Sequence, residues 1–261
     1  MPAAADQIRG YDDLFFDWVE ATSLNSARQA LPLVARAMKV ESVADIGCGS
    51  GAWLAVWNEL GVGNVTGIDG SYVRKERLMF EAANFIGQDL RQPIALPRRF
   101  DLVQCLEVAE HLPESRSASL VDDLCRLSDV VLFSAAQRGQ GGEFHINEQS
   151  LEFWRSLFAA HGYQPFDFLR PALRHAANIA PWYKYNMIVY AAESAAGRFS
   201  APARSTRIEP GTPLSTAADW RWRSRLMLGR LLPQPVATVL SRLNYRARML
   251  LQPASPERGK P

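Results

Sequence analysis

The sequence has little cysteine and no long apolar run. Its cysteines are Cys48, Cys105 and Cys125, and no two of them form a Cys-x-x-Cys pair. An odd number of such thiols argues against a disulfide framework and favours a reducing compartment such as the cytoplasm. The first ten residues are polar and give no sign of a signal peptide. No run of about eighteen apolar residues is present that would predict a membrane-spanning helix.

The net charge of +2 conceals an asymmetry along the chain. Residues 1–193 contain 17 basic and 24 acidic side chains, a balance of −7, whereas residues 194–261 contain 12 basic and 3 acidic ones, a balance of +9. A chain of 261 residues is long enough for one α/β domain and an appendage. We therefore expect an acidic folded body followed by a basic tail.

Residues 42–54 predict a buried strand, a glycine turn and the start of a helix, in that order. A short apolar run is followed by Gly47, Gly49 and Gly51, which allow a sharp turn and the close approach of a ligand to the backbone. The helix that begins near Ala52 would direct its first N–H groups toward that ligand. This combination is typical of a site for a nucleotide-like molecule.

The glycines alone also satisfy the dinucleotide pattern, Gly47-x-Gly49-x-x-Ala52, so an NAD-type oxidoreductase is one alternative. Asp45 distinguishes the two classes, because a carboxylate at the strand end attracts a cationic amino group and repels a pyrophosphate. The acidic residue and the three glycines resemble the first motif of the class I S-adenosylmethionine (SAM)-dependent methyltransferases. The resemblance extends over residues 11–192 and implies SAM as cofactor and S-adenosylhomocysteine (SAH) as product.

The resemblance implies a doubly wound, Rossmann-like α/β fold. We expect a seven-stranded, mostly parallel sheet with an antiparallel last strand, followed by a basic helical C-terminal tail. The hydrophobic pattern predicts strands at residues 43–46, 64–69, 82–89, 100–107, 129–134, 164–169 and 187–192. It predicts helices at residues 11–20, 26–38, 52–60, 117–127 and 151–161, with a kink or restart at Pro32.

Further residues of the predicted cofactor site follow the second and third strands. Asp69 comes 18 residues after Gly51, at about the spacing where a carboxylate accepts hydrogen bonds from ribose hydroxyls. The resemblance places Asp89 and Leu90 near the adenine amino group, although Asp89 could instead cap a turn. The complete set predicted to bind the cofactor is Asp45, Gly47, Cys48, Gly49, Gly51, Asp69, Gly70, Asp89, Leu90 and Cys105.

The acceptor side is predicted from residues 107–114 and from the glycine- and amide-rich loop 135–149. A polar loop of this composition suits recognition of a hydroxyl-rich acceptor such as a saccharide, a glycan or a glycosylated small molecule or lipid. His145 is the first candidate for the general base of O-methylation, with His111 and Glu110 beside it at the sheet edge. Each histidine could instead brace its own loop. The predicted acceptor contacts are Gln140, Asn147 and Tyr183, and the last of these could simply pack in the core.

The same side chains permit a metal-dependent alternative. Glu107-x-x-Glu110-His111 with His145 resembles the metal-binding pattern of the small-RNA 2′-O-methyltransferases, in which a metal holds the terminal hydroxyls. Against this reading, Glu-x-x-Glu-His is also common in metal-free methyltransferases. A binding module that holds the cofactor without catalysis is a further alternative.

The chain divides by composition into five segments. They are N-terminal helices that form a lid or seal the sheet (1–40), a methyltransferase domain (41–193), a linker (194–219), basic amphipathic helices (220–251) and a disordered tail (252–261). The basic helices suit peripheral association with an anionic membrane at its inner face, or docking onto the acidic body or a second copy. The acidic body argues against nucleic acid as a partner.

Overall fold

The computed structural model describes residues 13–214 and 217–231, with the side chains of its first helix from Trp18 onward. Within the predicted lid, residues 1–12 lie outside the described residues. The part of the predicted basic helices beyond residue 231, and the predicted disordered tail 252–261, also lie outside them. None of the described helices combines the length and the apolarity that crossing a bilayer requires.

Seven strands form one sheet in the order β3-β2-β1-β4-β5-β7-β6, parallel except for β7, which is antiparallel to both of its neighbours. This confirms the predicted fold class. The strands are β1 (Ser42–Ile46), β2 (Asn64–Asp69), β3 (Phe85–Gly87), β4 (Leu102–Leu106), β5 (Val130–Ser134), β6 (Tyr163–Phe166) and β7 (Ile188–Ala192).

Helices cover both faces of the sheet. They are α1 (Asp13–Ala37), α2 (Ala52–Glu59), α3 (Ser117–Leu127), α4 (Leu151–Ala160), α5 (Leu169–Leu173), α6 (Pro181–Asn186), α7 (Ala201–Arg204) and α8 (Trp220–Arg230). Short 3₁₀ helices connect several of them, at Lys75–Arg77, Ala82–Asn84, Ala109–His111, Glu114–Arg116 and Glu193–Arg198.

The side chains of the central strands alternate between two cores. In β1, Val43 packs with α1 and α2 on one face of the sheet, and Ala44 packs with α3 and α4 on the other. Every residue of β4 and β5 is buried, as expected for parallel strands covered on both faces. The strand order reverses between β1 and β4, and ligands of open α/β sheets bind at the carboxyl ends of the strands at such a point.

The N-terminal segment differs from the prediction of two helices. Residues 13–37 form one continuous helix, and Pro32 lies inside it. Proline in a helix interior costs about 3 kcal/mol. Here the helix buries Ala27, Leu31 and Val34 completely against α2 and the sheet. This tertiary packing outweighs the local preference for a break.

The segment predicted as a linker folds against the domain in its described part. Phe199 and Ala203 are buried in the core on the α1 face of the sheet. Arg207 forms a β-bridge with Phe166 of β6, and the Ile208 N–H donates to the carbonyl of Pro165 at 2.9 Å. The composition indicated a flexible chain, but its apolar residues Ala195, Phe199, Ala203 and Leu214 are spaced so that they reach the core.

Helix α8 docks onto the domain, which was one of the alternatives predicted for the basic helices. Its Trp222 and Leu226 are buried with Tyr185 of α6. Asp219 caps the helix by accepting the Trp222 N–H at 2.9 Å, and it accepts the Tyr185 hydroxyl at the same distance. These contacts place the first basic helix beside the loop that follows β5.

Candidate active site

Three glycines form the turn that follows β1. Gly47, Gly49 and Gly51 have φ angles of 82°, 53° and 83°, in the left-handed region that favours glycine. A Cβ atom on Gly51 would lie 2.2 Å from the ring of Phe80, whereas one on Gly49 would meet no described atom within 4 Å. No described side chain caps α2, which begins at Ala52. A Cβ atom on Gly47 would likewise lie 2.2 Å from Val108. The turn is therefore packed at both ends, and it leaves open space beside Gly49 and uncapped N–H groups at the start of α2 for a ligand.

Asp45 lies inside this site, at the end of β1. It is 3 % exposed, and its partner in the parallel register is Gln104 of β4. Burial, opposed by the Gln104 amide and reinforced by the charge of Asp69, raises the pKa of Asp45 to about 7. A cationic ligand would stabilise the ionised form, because pairing offsets the cost of burying a charge.

Asp69 ends β2 and joins the two sides of the turn. Its carboxylate accepts hydrogen bonds from the N–H groups of Gly49 at 2.7 Å and Gly70 at 2.6 Å, and from the Tyr72 hydroxyl at 2.6 Å. Burial raises the pKa of Asp69, and these three hydrogen bonds lower it. The Tyr72 ring covers Gly70, so a ligand hydroxyl that binds Asp69 would compete with the Tyr72 hydroxyl.

The other predicted cofactor residues occupy different surroundings. Asp89 is exposed, pairs with the Arg91 guanidinium at 2.7 Å and accepts the Arg91 N–H at 3.0 Å, which is the turn-capping role. Leu90 and Cys105 are buried in the core beneath α3. Cys48 packs in the core on the opposite face, and its thiol donates to the Gly49 carbonyl at 3.4 Å.

A network of carboxylate and amide groups forms where β4 ends. Glu107 has a φ angle of 56°, which is unusual outside glycine. Its carboxylate accepts hydrogen bonds from Gln140 at 3.0 Å and from Asn186 at 3.2 Å. Asn186 also donates to Gln140 at 2.9 Å and accepts from Gln137 at 2.9 Å. Burial raises the pKa of Glu107, and the two donating amides lower it.

Glu148 fixes the loop around His145. Its carboxylate accepts the N–H groups of Gly139 and Gly141, both at 2.8 Å, and it lies 2.9 Å from Nδ1 of His145. Both glycines have left-handed φ angles, and successive N–H groups in this conformation form a cradle for an anion. Because a carboxylate only accepts hydrogen bonds, Nδ1 of neutral His145 carries the proton and Nε2 carries the lone pair.

The three predicted catalytic side chains lie together. Glu110 is fully buried, and its carboxylate accepts no well-formed hydrogen bond from the described residues. Burial and then the charge of Glu107 raise the pKa of Glu110 well above its usual range. The rings of His111 and His145 meet edge to face with centroids 5.0 Å apart. The His111 side chain is exposed at the rim of this group. One potential metal-ligating atom from each of Glu110, His111 and His145 lies within 4.8 Å of the other two.

Two of the predicted acceptor contacts face the protein interior. Asn147 donates to the Ala109 carbonyl at 3.2 Å and to the Ser117 hydroxyl at 2.9 Å, and so holds the loop onto the turn after β4. Tyr183 is buried between α1 and α2, with its hydroxyl 3.1 Å from that of Ser23. Of the three, Gln140 is the one joined directly to Glu107.

Comparison with known proteins identifies the family of this chain. A family model described as a methyltransferase domain matches residues 20–177. The chain belongs to this family. The methyltransferase is therefore SAM-dependent, with SAM as its cofactor, and the dinucleotide oxidoreductase and the non-catalytic module are no longer alternatives.

Solved structures confirm the fold of the methyltransferase. The sugar N-methyltransferase KedS8 from Streptoalloteichus sp. ATCC 53650 matches with a TM-score of 0.54 and 16 % identity, over 69 % of this chain and 92 % of that one. A chain of the Haloferax volcanii complex that contains the Trm112 methyltransferase activator matches with a TM-score of 0.52 and 18 % identity, over 74 % and 99 %. No curated protein matches the chain.

The residues at the glycine turn fit SAM. No described atom lies within 4 Å of the position that a Cβ atom on Gly49 would take, which leaves room for a ligand there. Asp45 presents a buried carboxyl group for an ammonium group, and Asp69 presents acceptor oxygens for ribose hydroxyls when Tyr72 gives up its hydrogen bond. These individual contacts with the cofactor remain predictions.

The contributions of Glu148 and Gln104 were not predicted from the sequence. A signal for Glu148 was present, because a carboxylate three residues after His145 and close to several glycines is suited to anchor a loop. Gln104 gave no such signal, since it stands within an otherwise apolar strand. Its carbonyl accepts the indole N–H of Trp57 at 3.0 Å, which holds the amide beside Asp45.

Proposed function

We propose that the methyltransferase methylates a hydroxyl group of a saccharide, a glycan or a glycosylated small molecule or lipid. The observation that carries this proposal is the pairing of His145 with Glu148 beside the glycine-rich loop. It supplies an imidazole, oriented by a carboxylate, beside Glu110 and His111 in the segment that follows β4. In other enzymes, too, a carboxylate orients the histidine that acts as the base.

The roles of the side chains follow from this geometry. SAM, when bound, supplies a methyl group on a positively charged sulfur. Nε2 of His145 accepts the acceptor's hydroxyl proton as the oxygen attacks, so that a neutral ether forms in place of a protonated one. Glu148 stabilises the imidazolium that results, because its carboxylate is held by two backbone N–H groups and does not move away.

The saccharide preference is supported by the amide groups around Glu107. The amides of Gln140, Asn186 and Gln137 are buried and bonded to one another and to Glu107, and vicinal hydroxyls could bind here by replacing some of these hydrogen bonds. One enzyme of similar fold is named a sugar N-methyltransferase, which adds support for a sugar acceptor. We favour oxygen over nitrogen because a neutral amine attacks with its own lone pair, whereas a hydroxyl is a weak nucleophile unless a base removes its proton as it attacks.

A second candidate function uses a divalent cation in the same place. It is favoured by the buried Glu110 carboxylate without a well-formed hydrogen bond and by the proximity of His111 and His145. One carboxylate and two imidazoles form a common ligand set for a divalent metal. Such a metal would lower the pKa of the acceptor hydroxyl, as in metal-assisted 2′-O-methylation of RNA ends. His145 would then be a ligand and not the base.

Two variants and a chelator separate the candidates. If His145 is the base, His145→Ala lowers kcat by about 10²–10⁴-fold while SAH affinity stays within about twofold. Dialysis against a chelator would then leave the activity unchanged. If a metal is required, chelation abolishes the activity, zinc or manganese restores it, and Glu110→Gln, which preserves the buried volume, is as inactive as His145→Ala. Full activity in His145→Ala would contradict both candidates.

A further inference from the structure

Helix α8 has two apolar faces. Its inner face is buried against the domain, where Trp222 lies 5.6 Å from the Tyr185 ring, measured between centroids. A Cβ atom on Gly229 would lie 2.0 Å from the carbonyl oxygen of Gly139, so the helix backbone touches the acceptor-side loop directly. This inner face explains how the helix docks, and it contains two of the helix's apolar side chains, Trp222 and Leu226.

The outer face carries the remaining apolar residues. Trp220, Met227 and Leu231 are 71 %, 68 % and 74 % exposed, and Leu228 beside them is 64 % exposed. Residues separated by seven and four positions lie on the same side of an α-helix, so Trp220, Met227 and Leu231 form one row, on the side opposite Trp222. Four large exposed apolar side chains on one short helix form a contiguous apolar patch, unlike the single exposed apolar residues that are common on protein surfaces.

Arginines border this patch on both sides. At about 100° per residue, Arg221 lies on one side of the apolar row, and Arg223 and Arg230 lie on the other. Residues 220–231 contain no acidic side chain, and residues 232–261 add five basic residues and one acidic residue. A row of Trp, Met and Leu between arginines matches the surface with which interfacial helices enter the boundary of an anionic bilayer.

We propose that the outer face of α8, defined as Trp220, Met227, Leu228 and Leu231 with their flanking arginines, binds the surface of an anionic phospholipid membrane. Charge complementarity selects this occupant. A second copy of the chain would make a two-fold contact in which the arginines face each other, which like-charge repulsion opposes. A nucleic acid would pair with the arginines but would leave the apolar row in water.

The membrane-facing side is joined to the active site through the helix. Arg225 on α8 donates to the Gln140 carbonyl at 3.4 Å, and Arg230 donates to the Arg138 carbonyl at 3.1 Å. Gln140 in turn binds Glu107. A helix lying on a bilayer would therefore hold the acceptor loop close to the headgroups. Under the proposed function, this position suits an acceptor sugar carried on a lipid.

The test is co-sedimentation of the full chain with vesicles of phosphatidylcholine alone or with about one third phosphatidylglycerol. We expect binding to the anionic vesicles at least about tenfold tighter than to the neutral ones, and weakening in high salt. Trp220→Ser/Met227→Ser and Arg221→Gln/Arg223→Gln should each weaken binding by about tenfold or more. The matched controls are Leu60→Ser, which removes an apolar side chain 39 % exposed just after α2, and Arg28→Gln/Arg36→Gln, which lowers the charge equally on α1. Both controls should bind like the unaltered protein.

Several results would overturn the proposal. They are absence of binding, equal binding to neutral and anionic vesicles, or binding unaffected by both α8 variants. A dimer in analytical ultracentrifugation that Trp220→Ser/Met227→Ser abolishes would identify a second copy as the occupant and would also overturn it. The variants' thermal unfolding and SAH affinity report folding separately. Thermal unfolding, SAH affinity and methyl transfer to a water-soluble saccharide can all be measured without vesicles, so failure of the membrane proposal is distinguishable from failure of the proposed function.

Discussion

Asp45→Asn is expected to stabilise the ligand-free enzyme and to weaken its hold on the cofactor. The reason is that the carboxyl group at position 45 is buried without a cationic partner among the described residues. Asparagine keeps nearly the same volume and carries no charge. Opposite effects of one substitution on stability and on affinity distinguish a binding carboxylate from a structural one.

The expected change in the free energy of unfolding follows from the pKa of Asp45. Asp45 has a pKa of about 7 in the folded protein, against an ordinary value of 3.8, which corresponds to about 4 kcal/mol for the buried charge. At pH values below about 4 the group is protonated in both states and contributes no penalty. Between about pH 4 and pH 7 the unfolded chain releases this proton and the folded chain retains it, so stability falls as the pH rises. At pH 8 we expect Asp45→Asn to be more stable by about 1–2 kcal/mol and not by the full ~4 kcal/mol, because the asparagine amide is itself a buried polar group. This gain raises Tm by about 3–6 °C.

The expected effect of the substitution on SAH affinity is the opposite: binding becomes weaker. We expect the ammonium group of SAH to pair with the ionised form of Asp45, whose population is about one tenth at pH 6 and nearly complete at pH 8. SAH affinity should therefore rise by about tenfold over this interval. In Asp45→Asn it should be at least about tenfold weaker at pH 8 and nearly independent of pH.

Calorimetric titration with SAH at several pH values, in two buffers of different ionisation enthalpy, measures both the affinity and the proton released. Thermal unfolding of the ligand-free variants measures stability. Asp69→Asn is the control, because its carboxylate accepts three hydrogen bonds, and the variant should lose both stability and affinity. An Asp45→Asn protein less stable than the unaltered enzyme at pH 8, or a wild-type affinity that does not change with pH, would refute this reasoning.

Three further outcomes are expected. Glu148→Ala should lower kcat by about tenfold or more with little change in SAH affinity, and an unchanged kcat would remove the orienting role of Glu148 for His145. Gly51→Ala should lower the free energy of unfolding by about 2–4 kcal/mol in denaturant titration, because the left-handed backbone strain at position 51 adds to the clash with the Phe80 ring. Gly61→Ala, with φ of 87° and no described atom within 4 Å, should cost only about 1 kcal/mol, and equal losses would contradict this. Tyr183→Phe should cost about 1 kcal/mol of stability and leave kcat unchanged, since its hydroxyl binds Ser23, and a large kcat loss would restore it as an acceptor contact.

The parts of the fold that were predictable are those fixed by local pattern. The boundaries of β2 and α3 agree with the prediction residue for residue, because apolar runs there are bounded by glycine or polar residues. Pro32 shows the limit of this reasoning. Its local cost is real, but the burial of the surrounding helix depends on residues distant in sequence. The packing of residues 194–214 escaped prediction for the same reason.

The candidate site divides in a similar way. The parallel sheet brings Glu110 and the loop of His145 to one edge, so their proximity could be expected from topology alone. The inward orientation of Asn147 could not, because an amide in a glycine-rich loop looks the same whether it binds the protein or an acceptor. The two apolar faces of α8 were also hidden, since only the docked structure separates Trp222 from Trp220.

The central claim is methyl transfer from SAM to a hydroxyl group with His145 as the base. It is tested most directly by incubating the enzyme and its His145→Ala variant with methyl-labelled SAM and paired saccharides that carry either hydroxyl groups alone or an added amino group. Tandem mass spectrometry then locates the label. We predict label on oxygen, formed by the unaltered enzyme and reduced by about 10²-fold or more in the variant. Label found on nitrogen, or on oxygen at an undiminished rate in His145→Ala, would contradict the claim.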